Sequence, residues 1–317
     1  MYIEHHLQEN IPAHRQALRR SVLRTLAYFD IWHYPLTFNE LVRFCDTPVH
    51  DGHALHAVIK ELEEDLVIFR EGSLYSITND ESCFIKRKHG NDKAAEMMPK
   101  AARRAQFIHR FPFVRSVNIS GSMSKNYYDE TTDFDFFIVT APDRLWICKL
   151  LLTAYKKLFL FNNRKYFCIN YYVDTNGLQI PDKNIFSAME VCTLKNITGA
   201  DIFKQFIQEN KWTSDYYPNN AFYPSEMPTR KDPVFKNCME WLLGGSFGNK
   251  VDTLAFRITT YFLRKKYRTL QPEAYALNMR SKKDVSKHHP QGFQTKVLRA
   301  FQDKCTSLEA RTGISIA

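Results

Sequence analysis

The stretch ISGSMSKNYYDETTDFDFFIV, residues 119–139, carries the pattern on which the fold turns. Asp133 and Asp135 alternate with Phe134 and Phe136, so on an extended backbone both carboxylates project from one face while the rings enter the core. Two carboxylates held side by side repel unless something positive lies between them, and a hard divalent cation such as Mg²⁺ meets that need through oxygen ligands. An acid-apolar-acid triplet alone is weak, because such pairs often mark an exposed strand face. Here Asp133 stands twelve residues after Gly121, the apolar run Val114 to Ser120 leads into Gly121-Ser122, and MSKNYYDETT between them has loop composition. Gly121 allows backbone N–H groups to approach a phosphate, and the Ser122 hydroxyl adds a neutral donor.

Upstream, residues 92–110 read as a helix rich in Ala, Lys and Arg. Before it, Leu18, Val22, Leu26 and Phe29 recur at helical spacing and Pro35 closes the connection. Thr37 and Glu40 form a T-x-x-E capping box ahead of a second helix, and a third carries Leu55, Val58, Ile59, Leu62 and Leu66 on one face. Two strand-like runs, 67–69 and 74–77, are joined through Glu71-Gly72-Ser73 as in a hairpin. Three helices and a hairpin in this order resemble a winged helix. Duplex recognition needs positive charge near phosphate, yet between Asp51 and Leu66 there is one Lys60 against Asp51, Glu61, Glu63, Glu64 and Asp65. DNA binding by this unit is disfavoured, and packing or a protein partner is expected instead. His50, His53 and His56 have no carboxylate or Cys at a clear ligand spacing and read as surface residues.

The Gly-Ser at a strand end followed by the acid-apolar-acid strand resembles the nucleotidyltransferase superfamily that holds DNA polymerase beta, the aminoglycoside nucleotidyltransferases and the CCA-adding enzymes. The resemblance covers about residues 92–175. It implies a metal-dependent transfer of a nucleoside monophosphate from a nucleoside triphosphate to an acceptor, with pyrophosphate released. It also implies Mg²⁺ or Mn²⁺ on Asp133 and Asp135, and nucleotide contacts from Gly121, Ser122, Ser124 and Asn170. The family places a third carboxylate on a later strand. In the corresponding run, residues 167–174, the interior position is Asn170, and Asp174 shares its face at the strand end. Asp174 is therefore the expected third catalytic acid, with Glu190 in the helical run 185–194 as the other candidate base. The histidines lie at or before His109 or at His288 and His289, so histidine chemistry among the central strands is not expected.

At 317 residues with 44% hydrophobic content the chain exceeds one compact core. The expected architecture is α+β: a winged-helix-like unit over 1–85, a nucleotidyltransferase core with a mixed sheet and flanking helices over 86–182, and a helical C-terminal region over 183–317. Seven scattered cysteines lack any CxxC spacing, which suits reduced thiols in a cytoplasmic protein. The start has no signal-peptide pattern, and the most apolar window, 145–161, is interrupted by Lys149, Lys156 and Lys157 and reads as a buried helix, so no membrane role is expected. Net charge is −5 over 1–80, where seven Lys and Arg face twelve Asp and Glu, but +10 over 230–317, where seventeen face seven. That excess suits either an anionic partner or a solvated basic face. The Gly244-Gly245-Ser246-Phe247-Gly248 cluster lacks the Lys-Thr or Lys-Ser of a phosphate loop and reads as a helix break. The alternative to transfer is a catalytically weak nucleotide-binding sensor or adaptor, which the absent interior acid favours.

Overall fold

The computed structural model describes residues 2–163, 165–225 and 232–316, with side chains from residue 13 onward. Helix α1 (Tyr2–Asp30) is followed by β1 (Leu36–Thr37), α2 (Phe38–Phe44), α3 (Gly52–Glu64), β2 (Phe69–Glu71) and β3 (Leu74–Ser76). The Thr37–Glu40 capping box forms as expected: each side chain accepts from the other's backbone N–H. Leu55, Val58, Ile59 and Leu62 of α3 are buried. Leu66 is not; it lies beyond the helix end at φ +57° and is exposed, a correction to its expected place on the packed face. The short strands form an antiparallel sheet in the order β1-β3-β2, with Gly72 turning at φ +61°. The acidic residues of α3 are partly answered within this unit, since Arg15 pairs with Glu61 and Arg19 with Asp65.

Helix α4 (Glu81–His109) starts eleven residues before the expected position because the Asp80 carboxylate accepts from the Ser82 N–H and caps it there. It runs through Gly90, where the Tyr127 ring packs so closely that a Cβ would lie 2.2 Å from it. The chain continues with β4 (Val114–Ser120), α5 (Gly121–Ser124), β5 (Asp135–Thr140), α6 (Leu145–Phe159), β6 (Cys168–Asp174), α7 (Ile185–Cys192), β7 (Lys195–Thr198) and α8 (Ala200–Glu209). A 3₁₀ turn (Lys211–Asp215) precedes α9 (Val234–Leu242), α10 (Ser246–Lys266), α11 (Pro272–Asn278), β8 (Val285–Lys287) and α12 (Phe293–Thr312). The protein is thus mixed α and β, with two sheets among the described residues.

The larger sheet has the order β7-β4-β5-β6-β8, with β5 and β6 parallel and the other neighbours antiparallel. Phe134, Phe136, Val117 and Ile119 fill the core beneath α4 and α6, whereas Phe137, Val139 and Val173 face a second core closed by α8. Residues 183–317 are not a separate helical region: β7 and β8 form both edges of this sheet, and α12 packs against α1 in the N-terminal core. A boundary at 182 fails because strands of four and three residues are too short to announce themselves by periodicity. Among the described residues no helix is long and apolar enough to cross a membrane.

Candidate active site

Strand β4 delivers the chain into Gly121 directly beside the start of β5, because Ser120 pairs with Asp135. Gly121 adopts φ +64°, and a Cβ there would come within 2.5 Å of Asp135 Oδ2, so the approach of carboxylate to turn depends on glycine. From the other side comes Asn170. The ladder between β5 and β6 steps from Phe136 opposite Ile169 to Phe137 opposite Tyr171, leaving Asn170 as the extra residue of a bulge. Bulges re-aim side chains, and this one sends Asn170 Nδ2 to donate to Asp135 Oδ1 at 2.7 Å. The Asn170 carbonyl accepts from the His288 N–H, which fixes the bulge from the β8 side.

These residues floor a pocket of about 120 Å³. Its walls come from Phe186, Ser187, Glu190 and Val191 of α7, from Asp182, and from Lys287 and His289 at the end of β8. Ligand pockets run to roughly 300–1,000 Å³, so this enclosure takes one portion of a nucleotide-sized molecule. Burial pushes the Asp135 carboxyl up to about 6, and the charges of Asp133 and Glu190 add to the rise while Cys168 and Lys125 oppose it. Lys125 Nζ donates to Glu190 Oε1 at 2.7 Å and to the Gly121 carbonyl at 3.3 Å, tying α7 to the turn. Lys287 Nζ meets Asp182 Oδ2 at 3.1 Å and Gln294 Oε1 at 2.8 Å, and Arg280 clasps both Asp182 oxygens. Burial, then the neighbouring Lys287 charge, lower His289 to about 4, so it stands neutral in the wall at pH 7.

Of the residues expected at the site, Gly121, Asp135 and Asn170 line the pocket together. Asp133 stands two residues before β5 and is half-buried, with its charge reaching Asp135. Ser122 is exposed on the turn. Ser124 is buried behind it, and its hydroxyl donates to the Gly121 carbonyl at 2.7 Å instead of facing the pocket. Asp174 is not brought to the pair. It lies four residues further along β6, about 13 Å at the rise of a strand, and accepts from the N–H groups of Asp143 at 3.0 Å and Asn176 at 2.9 Å. Its carboxylate is occupied in holding two turns.

Glu190 is in the pocket wall as one of the two candidate bases, whereas Lys125, Asp182, Lys287 and His289 were not read from the sequence. Lys125 carried a signal in its nearness to Gly121-Ser122. The others are gathered by β8 pairing with β6, and nothing local in their sequence announces it. Among the described residues no group of three His, Cys, Asp or Glu side chains converges as a metal cage. Compared with protein-family models, curated proteins and solved structures, the chain matches none.

Proposed function

We propose that the chain is a nucleotidyltransferase-fold enzyme that moves a nucleoside monophosphate from a nucleoside triphosphate to an acceptor, releasing pyrophosphate. The observation that carries this reading is the Gly121–Asp135 corner, a positive-φ glycine whose missing Cβ leaves room for a carboxylate of raised pKa on the floor of a pocket. The mixed sheet supports it, with β4 and β5 antiparallel, β6 parallel to β5, and Gly121-Ser122 closing β4 opposite Asp135.

The donors suit a metal. Mg²⁺ is commonly held by one or two carboxylates, with substrate phosphates and waters completing the shell, so Asp133 and Asp135 suffice without a third acid. The burial and like charge that raise Asp135 are the conditions a divalent cation relieves. When bound, Mg²⁺ or Mn²⁺ supplies charge neutralisation at the α-phosphate. The protein's own groups do the rest. Asp133 and Asp135 hold the cation, the Gly121 backbone lies against the phosphates, and Glu190, oriented by Lys125, accepts the proton of the attacking hydroxyl. The N-terminal unit, with its β1-β3-β2 sheet, is proposed as a winged helix that meets a protein, because the acids of α3 disfavour duplex DNA.

A second reading, nucleotide binding without turnover, is favoured by one contact: at the third-acid position Asn170 donates to Asp135, where an acid would add charge. Incubation with labelled nucleoside triphosphates, Mg²⁺ and cell extract separates the two. Transfer predicts labelled product and pyrophosphate, with Glu190→Gln losing turnover by roughly a hundredfold while retaining binding. Binding with no pyrophosphate from any triphosphate favours the second reading, and absence of binding defeats both.

A further inference from the structure

Helix α9 is packed with its polarity reversed. Its inward face carries Lys236 and Glu240, one helical turn apart, beside half-buried Met239 and Leu243. Lys236 is 1% exposed and donates to the carbonyls of His109 at 3.0 Å and Val114 at 3.1 Å, and Glu240 receives Arg115 and the Phe113 N–H. The residues at the spacing of the opposite face, Val234, Phe235, Cys238, Trp241 and Leu242, all stand in solvent, Trp241 with 83% of its surface exposed. The pattern continues in α10, where Gly248, Asp252 and Ala255 face the protein while Phe247, Leu254, Ile258, Tyr261 and Phe262 are exposed. At 100° per residue these five form a stripe beside the packed face, and Lys250, Arg257 and Arg264, seven residues apart, run along its far flank. Among the described residues, the cations of this region engaged in ion pairs are others: Lys236, Arg280, Lys283, Lys287 and Lys304.

Across the two helices the exposed rings of Phe235, Trp241, Phe247, Tyr261 and Phe262 leave on the order of 600 Å² of apolar surface. We propose that the α9–α10 face lies on an anionic lipid surface, with its apolar stripe in the headgroup boundary and Lys250, Arg257, Arg264 and the basic end Lys265, Lys266 and Arg268 against anionic headgroups. Charge decides among occupants. A second copy on the same face would bring Lys250, Arg257, Arg264, Lys265, Lys266 and Arg268 against their own counterparts. Nucleic acid would leave Val234, Leu242, Leu254 and Ile258 without an apolar counterpart. An anionic bilayer supplies both components at the same spacing, apolar depth and negative charge, and Trp and Tyr favour that boundary. This helix pair would lie on the bilayer without crossing it.

The test is co-sedimentation of the full chain with vesicles of phosphatidylcholine alone, or with about a third phosphatidylserine. Brominated phosphatidylcholine present in both then reports whether Trp241 enters the boundary. Binding to the anionic vesicles alone, weakened by salt, with quenching lost in Trp241→Phe, is expected. The triple variant Arg257→Gln/Arg264→Gln/Arg268→Gln should weaken binding by roughly a hundredfold, at about fivefold per cation. These positions are exposed, so unchanged melting temperatures would show that the variants fold. No binding at about 1 mM lipid, or equal binding to neutral vesicles, overturns the proposal. So does a dimer, seen by analytical ultracentrifugation, that Trp241→Ser/Phe247→Ser abolishes.

Discussion

Asp135→Asn should stabilise the ligand-free protein at neutral pH while removing its capacity to hold a metal nucleotide. The Asp135 carboxyl lies at about 6 in the folded protein against an ordinary value of 3.8. Two units correspond to about 3 kcal/mol of disfavoured ionisation. The sign follows from linkage: the folded state binds the proton more tightly than the unfolded chain, so the cost is absent below the ordinary value, grows as pH rises through the folded one, and is complete above it. Asparagine keeps the shape and can accept from Asn170 Nδ2 through its carbonyl, as Asp135 Oδ1 does at 2.7 Å. In EDTA at pH near 7.5 the variant should gain about 1–3 kcal/mol, roughly 2–6 °C by differential scanning calorimetry. The gain should shrink as pH falls through 6 and vanish near pH 4. With Mg²⁺ and a triphosphate at about 100 times Kd, the wild type alone should rise by about 2.7 kcal/mol and close or reverse the gap. A variant less stable than wild type at pH near 7.5, or a gap that ignores pH, would refute the reasoning.

Asp174→Asn should change kcat and nucleotide affinity by less than about twofold and lower stability by about 1–2 kcal/mol, because its carboxylate serves the Asp143 and Asn176 N–H groups; steady-state kinetics and urea unfolding check both halves. Lys236→Met should cost about 2–4 kcal/mol in urea unfolding, since the His109 and Val114 carbonyls lose their donor and Asp232 its partner. Asn170→Asp should lower ligand-free stability at pH near 7.5 by about 1–2 kcal/mol, by adding charge beside Asp135, and should strengthen Mg²⁺-dependent nucleotide binding; calorimetry reads the first and titration the second.

Legibility in the sequence followed chain distance. The Gly121 turn and Asp135 are fourteen residues apart, so glycine, loop composition and alternation of Asp with Phe could be read together. The Thr37–Glu40 box was legible for the same reason. Lys125 and Glu190 meet across 65 residues and Lys287 and Asp182 across 105, joined by a topology that periodicity does not encode. Asp174 misled because side-chain alternation gives the face of a strand but not the distance along it, and that distance separates it from the pair. Helix α9 has ordinary amphipathic spacing, but only the packed structure shows that Lys236 and Glu240 take its inner face.

The central claim, that the Gly121–Asp133–Asp135 corner holds a metal-bound nucleotide, is tested most directly by isothermal titration with a non-hydrolysable triphosphate, with and without Mg²⁺, on wild type and Gly121→Ala. Alanine at φ +64° would drive its Cβ against Asp135 Oδ2. Wild type should bind only when Mg²⁺ is present, and a Gly121→Ala variant that still unfolds cooperatively should bind at least tenfold more weakly. Equal affinity without Mg²⁺, or unchanged affinity in Gly121→Ala, would contradict that claim.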